Sequence, residues 1–109
     1  MAAIFKISSA ESGGFQFHLM DDDGSALLIG AEADSRDDAE KTIQDVRVGS
    51  LMSQQIAKGQ TPDSQFFFLI KDSLGNVIAK SDLYGDEMEF NNALNRVKET
   101  ACIAEVASA

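Results

Sequence analysis

Phe15-Gln16-Phe17-His18-Leu19-Met20-Asp21-Asp22-Asp23-Gly24 alternates apolar and polar side chains, then runs into an acidic turn that ends in glycine. Period-two alternation describes a half-buried β-strand, and Asp23-Gly24 is a two-residue hairpin signal because Gly24 accepts the positive φ that such turns need. The succession returns fifty-one residues later: Phe66 answers Phe15, Phe68 answers Phe17, Asp72 answers Asp21 and Gly75 answers Gly24. Leu19 likewise falls on Ile70, Ala26 on Val77, Leu27 on Ile78, Ile43 on Leu94 and Val46 on Val97. Strand, turn and helix signals share one offset, so the chain reads as a tandem repeat of a unit of about fifty residues.

Upstream of the quoted stretch, Ile4 to Ser9 is a β-type run set off by Gly13-Gly14, and downstream Ala26 to Ile29 is an apolar strand. Ser35 then offers an N-cap oxygen with Asp38 three residues on, and Ala39, Ile43 and Val46 recur at helical spacing, which predicts an amphipathic helix. In the second copy, Gln65 to Lys71 and Val77 to Lys80 are strands around the turn Leu74-Gly75-Asn76. Asp86 is the next N-cap with Glu89 at the third helical position, and Phe90, Ala93, Leu94 and Val97 form an apolar helix face. The β-type tail Cys102 to Val106 maps by the offset onto Leu51 to Gln55, while Ile4 to Ile7 maps onto Gln55 to Lys58. One strand around 51–58 is therefore expected to close the first copy and open the second. The expected fold is α+β: tandem β3-α-β repeats forming one antiparallel sheet with two helices packed on one face. It makes a single domain over 1–109, with repeats at about 1–56 and 52–109.

A length of 109 residues suits one domain. Nine basic against 18 acidic residues leave a net charge of -9, which opposes phosphate contacts and argues against nucleic acid and anionic membranes as partners. Cys102 is the only cysteine, so no internal disulfide forms, and no apolar run approaches the length of a membrane-spanning helix. The opening MAAIFKISSA lacks the apolar centre of a signal peptide. A soluble cytoplasmic protein is the expectation.

Gly75-Asn76-Val77-Ile78-Ala79-Lys80-Ser81-Asp82-Leu83-Tyr84, followed by a helix containing Ala93-Leu94 and Val97, resembles the repeat signature of the YegP-like family. These are small bacterial proteins of one or two such repeats, whose label is a domain of unknown function. The resemblance implies a β3-α-β unit, two of which build a single sheet with exchanged C-terminal strands. The first copy has Gly30 and Ala33 where Ser81 and Tyr84 stand, and the turn order Gly75-Asn76 reverses the family's usual Asn-Gly. Any role tied to Ser81 or Tyr84 would therefore exist once.

For chemistry, Asp21-Asp22-Asp23-Gly24-Ser25 is the stretch best suited to a hard cation. With Gly24 at the sixth position of a calcium loop, however, the first and twelfth positions are Leu19 and Gly30, neither a carboxylate. It reads as a solvated turn, and no metal or cofactor is expected. His18 is the only imidazole, which gives neither a zinc site nor a Cys-His pair within the chain. Cys102 answers Leu51 and is expected to be a small buried hydrophobe. Gly13-Gly14 precedes a strand rather than a helix and so lacks a phosphate-binding geometry. Tyr84 is expected to pack on the sheet, and Met20, Met52 and Met88 to fill irregular gaps. No catalytic residue is assigned.

Phe66-Phe67-Phe68-Leu69-Ile70 is apolar on both faces, whereas Gln16 and His18 stand where Phe67 and Leu69 stand. The second copy thus carries a non-polar outer face that the first lacks. The function expected is a non-catalytic protein-interaction module, a homodimer or a partner of another protein, with Phe67, Leu69, His18 and Met20 as its candidate surface. The alternative is a small-molecule binder or enzyme using the outer face around His18.

Overall fold

Alternation and capping place the elements where the sequence signals them. The computed structural model describes residues 3–11 and 13–108. In chain order they form β1 (Ile4–Ser9), β2 (Phe15–Met20), β3 (Ala26–Gly30), α1 (Arg36–Gly49), β4 (Ile56–Gln60), β5 (Phe66–Lys71), β6 (Val77–Lys80), α2 (Glu87–Thr100) and β7 (Glu105–Ser108). Both helices begin on a side-chain cap: Ser35 Oγ accepts from the Asp38 N–H and Asp86 Oδ1 from the Glu89 N–H. Each cap contributes about 1 kcal/mol, and the acidic first turns, Asp37-Asp38 and Glu87 with Glu89, suit the positive end of the helix dipole.

Both hairpins are three-residue loops: the first is one residue longer than the two-residue turn expected at Asp23-Gly24, and the second, over residues 73–75, begins one residue before the expected Leu74-Gly75-Asn76. The Asp21 N–H donates to the Ser25 carbonyl and the Gly24 N–H to the Asp21 carbonyl; Asp72, Gly75 and Asn76 repeat the pattern. This is a type I turn followed by a left-handed residue, held by Gly24 at φ 88° and Gly75 at φ 90°. The loop from Thr61 to Gln65 has the same hydrogen bonds, but Ser64 occupies its left-handed position at φ 66°.

All seven strands join one sheet in the order β4-β5-β6-β3-β2-β1-β7. The pairs are antiparallel except β1 with β7, so the sheet is mixed rather than wholly antiparallel. The expected strand around 51–58 is replaced by a turn and a strand. Leu51 and Met52 close backbone bonds onto Val48 and Gly49, Ser53–Gln55 is a single 3-10 turn, and β4 begins only at Ile56. β4 pairs with β5 alone and lies at the sheet edge, while the place beside β1 is taken by β7 from the chain's other end. Gly49 imposes the tight exit from α1, because a methyl there would meet Ile70 Cγ2 at 2.8 Å. The expected tail strand from Cys102 also starts later, at Glu105, after a turn over Ala101–Ile103.

Both helices cover the same face of the sheet, α1 against β1, β2, β5 and β6 and α2 against β3 and β5. One hydrophobic cluster results, with Phe5, Phe17, Leu19, Leu28, Ile43, Val46, Phe68, Ile70 and Val97 fully buried. Phe90 lies 5.8 Å from the rings of both Phe66 and Phe68. Ser81, which stands where Gly30 stands in the first half, is buried and accepts from the Phe68 N–H through Oγ. At Gly30 the corresponding space is filled by the Phe17 ring, which a methyl would meet at 2.2 Å.

Candidate functional site

Because Phe17, Leu19, Phe68 and Ile70 point into the core, period-two geometry turns His18, Met20, Phe67 and Leu69 to the opposite face. The sheet register assembles one row across that face. Ala57 pairs with Leu69, Leu69 with Lys80, Lys80 with Ile29, Ile29 with His18, His18 with Lys6, and Lys6 with Ala107. Strand spacing puts Lys80 and Lys6 about 14 Å apart along the row. Phe67 and Leu69 thus lie together, while His18 and Met20 lie beyond the two intervening strands β6 and β3. Ile29 and Lys80, which the sequence reading did not single out, sit between the two pairs, because only the β3–β6 contact places them there.

Phe67 is half-buried, and the cause is local. Gly59 stands opposite it in register, and the Phe67 ring lies so close that a Cβ at Gly59 would meet Cζ at 2.4 Å. Toward β6, a groove of about 360 Å³ opens between Phe67, Leu69, Ile29, Lys80, Ser81, Asp82 and Leu83. Leu83 is 49% exposed.

Acidic residues concentrate outside the strands. Of the 18 acidic residues, only Glu105 lies in a strand, whereas the strands hold Lys6, Lys58, Lys71 and Lys80. None of those four lysines is in an ion pair among the described residues; the pairs are Arg36–Glu40, Arg96–Asp21 and Arg96–Glu99. A chain with no basic cluster in its linear sequence thereby presents Lys6 and Lys80 on one half-apolar surface.

A second, more polar pocket of about 290 Å³ lies between the β2–β3 turn, α2 and Tyr84. Arg96 donates to Asp21 through Nε and one terminal nitrogen, the shortest contact being 2.6 Å, and this hydrogen-bonded guanidinium holds the Asp21 carboxyl below its ordinary range. Burial pushes the Tyr84 hydroxyl up, with the charges of Asp82 and Glu89 adding to it. Carboxylate oxygens of Asp21, Asp22 and Asp23 converge within 4.8 Å. Those of Asp21 are engaged by Arg96, and Asp23 Oδ1 accepts from both the N–H and the hydroxyl of Ser25. The fold uses Asp23 to build its turn and Asp21 to anchor α2.

Two expectations fail on exposure. Cys102 is exposed rather than buried because it lies in the turn between α2 and β7; Leu51, its counterpart by offset, is itself 62% exposed at the exit of α1. Met88 and Met52 are likewise exposed, on the first turn of α2 and in the turn before β4, rather than filling gaps.

A mixed seven-stranded sheet with two helices on one face and an open opposite face defines an α+β protein. No family model matches the chain. It is 28% identical over 98 residues to UPF0339 protein PA0329 of Pseudomonas aeruginosa, covering 90% of this chain and 89% of that protein. It is 26% identical to UPF0339 protein YegP of Escherichia coli K12, with the same coverage. The solution NMR structure of yegP from E. coli, described as a protein of unknown function, superposes with a TM-score of 0.91 at 25% identity, over 99% of this chain and 93% of that one. UPF0339 protein SO3888 from Shewanella oneidensis shares the fold with a TM-score of 0.92, over 99% and 92% of the two chains. The chain is thus similar to the YegP proteins in sequence and in fold over nearly its whole length. No helix among its described residues is long and apolar enough to cross a membrane.

Proposed function

We propose that the protein is a non-catalytic interaction module that binds its partner on the helix-free face of the sheet. The surface comprises Phe67, Leu69, Ile29 and Lys80, with His18 and Met20 at its far end. The observation that carries this reading is the groove beside β6, where half-exposed apolar side chains surround an unpaired lysine on a face with no helix over it. Covering a Leu or Phe side chain contributes up to about 1.5–3 kcal/mol, so four partly exposed ones approach the lower end of an association cost of about 4–15 kcal/mol. Enzymatic use of His18 has less support: its register neighbours are Lys6 and Ile29, with no carboxylate in the row to orient the ring.

We infer further that the domain is built of two tandem β3-α-β units. Support comes from pairs of equal registers fifty-one residues apart, such as Ile7–Phe17 with Lys58–Phe68 and Leu19–Leu28 with Ile70–Ala79.

A photo-crosslinking residue at position 69, compared with one at Gln44 on the exposed side of α1, tests the docking face in the native host. Discrete adducts, either with a second copy or with another protein, are expected from position 69 and not from position 44. Identical adducts from both, or none from 69, would remove the face from the account.

A further inference from the structure

We propose that the open edge of β4 is a strand-addition site for an extended segment of another protein, which pairs parallel to β4 as β7 pairs with β1. Registers fifty-one residues apart put β4 on β5 as β1 lies on β2: Phe5 faces Leu19 and Ile7 faces Phe17, while Ile56 faces Ile70 and Lys58 faces Phe68. Beyond β1 the sheet continues into β7, where Val106 stands opposite Phe5 and Ser108 opposite Ile7; beyond β4 it stops. A place that a parallel strand fills on one side of the molecule is thus open at the equivalent position on the other.

The groups that receive a strand follow from the hairpin. The Thr61 N–H donates to the Gln65 carbonyl, and antiparallel alternation from that bond turns the backbone of Gly59 and Ala57 toward β5 and that of Gln60, Lys58 and Ile56 toward the open edge. Phe66 agrees with this phase, since its N–H and C=O both bond to Tyr84 on the opposite side from Gln60. The Ile56 N–H closes on the Ser53 carbonyl, which leaves its C=O and both backbone groups of Lys58 and Gln60. In a parallel strand whose first residue stands opposite Ile56, the second donates to the Ile56 carbonyl and accepts from the Lys58 N–H. The fourth donates to the Lys58 carbonyl and accepts from the Gln60 N–H.

Side chains at the edge set the sequence of the segment. Its first residue covers Ile56, half-buried at the core margin where Phe5 beside β7 is fully buried, so it is apolar, as Val106 is. Its third faces exposed Lys58, which stands where β1 has Ile7, so it is polar, as Ser108 is. Its fourth lies opposite Gly59 on the helix-free face, where the Phe67 ring lies over the glycine on the edge strand itself, and an apolar side chain there packs on the ring. The segment reads apolar-x-polar-apolar. A second copy is the poorer occupant, because pairing β4 with β4 about a two-fold axis through all three outward residues sets Lys58 against its own copy.

The probe is the peptide Thr-Val-Ala-Ser-Leu-Thr, blocked at both ends and titrated into the full chain with amide chemical shifts as the readout. Shifts are expected at Ile56, Lys58, Gln60 and Phe67 and not along β7. N-methyl groups on its Ala and Leu, whose N–H groups the parallel register aims at β4, should weaken binding at least about tenfold, whereas N-methyl groups on its Val and Ser should leave it within about twofold. Lys58→Pro removes only an outward N–H, so the chain should stay folded and lose the peptide, while Lys58→Gln should keep it. The N-methyl comparison, made on the unaltered chain, decides the matter even if the proline variant unfolds. The reverse N-methyl pattern would overturn the parallel template, and equal binding by both methylated forms would overturn strand addition. No shift along β4 at millimolar peptide would remove the site. Shifts confined to Ile29, Lys80 and His18 would keep the docking face and overturn the edge. Dimers seen by sedimentation and abolished by Lys58→Pro would replace the foreign strand with a second copy.

Discussion

Arg47→Ala should unfold the molecule from its chain ends inward. Arg47 leaves α1 in its last turn and reaches the backbone that carries the chain from α2 into β7. One terminal nitrogen donates to the Ala104 carbonyl at 2.6 Å, the other to those of Ala101 and Cys102 at 3.4 and 3.3 Å, and the guanidinium lies 5.3 Å from the Phe5 ring centroid. A hydrogen bond from a charged donor contributes about 1.5–3 kcal/mol; counting the two long contacts on one nitrogen as a single bond gives about 3–6 kcal/mol gross. The cation–π contact adds about 0.5–1 kcal/mol. Against this stands Nε, buried without an acceptor among the described residues, at about 1–3 kcal/mol. The net loss on truncation is about 3 kcal/mol, which for a domain of this size lowers the melting temperature by roughly 12–20 °C. Arg47→Lys keeps one charged donor and should lose about half as much. Arg36, whose exposed pair with Glu40 is 3.8 Å long, serves as the control: Arg36→Ala should stay within about 0.5 kcal/mol of wild type. Thermal melts followed by circular dichroism supply the numbers, and amide exchange should open β7 before the β2–β3 hairpin. If Arg47→Ala melts within about 3 °C of wild type, or no lower than Arg36→Ala, the clamp has no energetic weight and the reasoning fails.

Three further outcomes are expected. Ser64→Gly relieves a left-handed serine at φ 66° and should raise the melting temperature by a few degrees, a gain of up to about 1 kcal/mol once the entropy of glycine is set against it; a lower melting temperature would contradict the strain. Gly30→Ala drives a methyl into the Phe17 ring and should cost about 1–3 kcal/mol by urea titration, whereas Gly85→Ala, with open space at its Cβ, should be nearly neutral. Arg96 holds the folded carboxyl of Asp21 below its usual 3.8, so the stability from this pair is fully present above that value and disappears as pH falls through the lower folded one. Denaturation curves between pH 5 and 2 should therefore fall more steeply for wild type than for Asp21→Asn, and parallel slopes would show that the linkage is absent.

The helix starts were legible because a cap is a local event: Ser35 and Asp86 each need only a backbone N–H three residues on. Strands β1, β2, β5 and β6 were legible because alternation and turn glycines are local too. The place beside β1 was not, since whether Leu51–Gln55 or the chain terminus fills it depends on how α1 leaves the sheet, and the close approach of Gly49 to Ile70 turns the chain away from β1. The site divided in the same way. Phe67 and Leu69 stood out from a broken alternation within one strand, while Ile29 and Lys80 needed the β3–β6 seam, a pairing between residues far apart in sequence and limited to two register pairs.

That seam explains why the linear charge pattern misled. Acidic residues gather in the turns and on the helices, where solvent and the positive ends of helix dipoles receive them, so the sequence reads as uniformly negative. Strand positions facing away from the core hold Lys6, Lys80 and one acid, Glu105, and the two lysines are separated in sequence by turns and helices. Only lateral pairing brings Lys6 and Lys80 onto one row, through Ile29 and His18. Net charge governs how the molecule meets a distant partner, but within a Debye length of about 8–10 Å the nearest groups decide. The face beside β6 therefore presents at contact an apolar groove edged by Lys80 and Asp82, on a molecule that is anionic from afar.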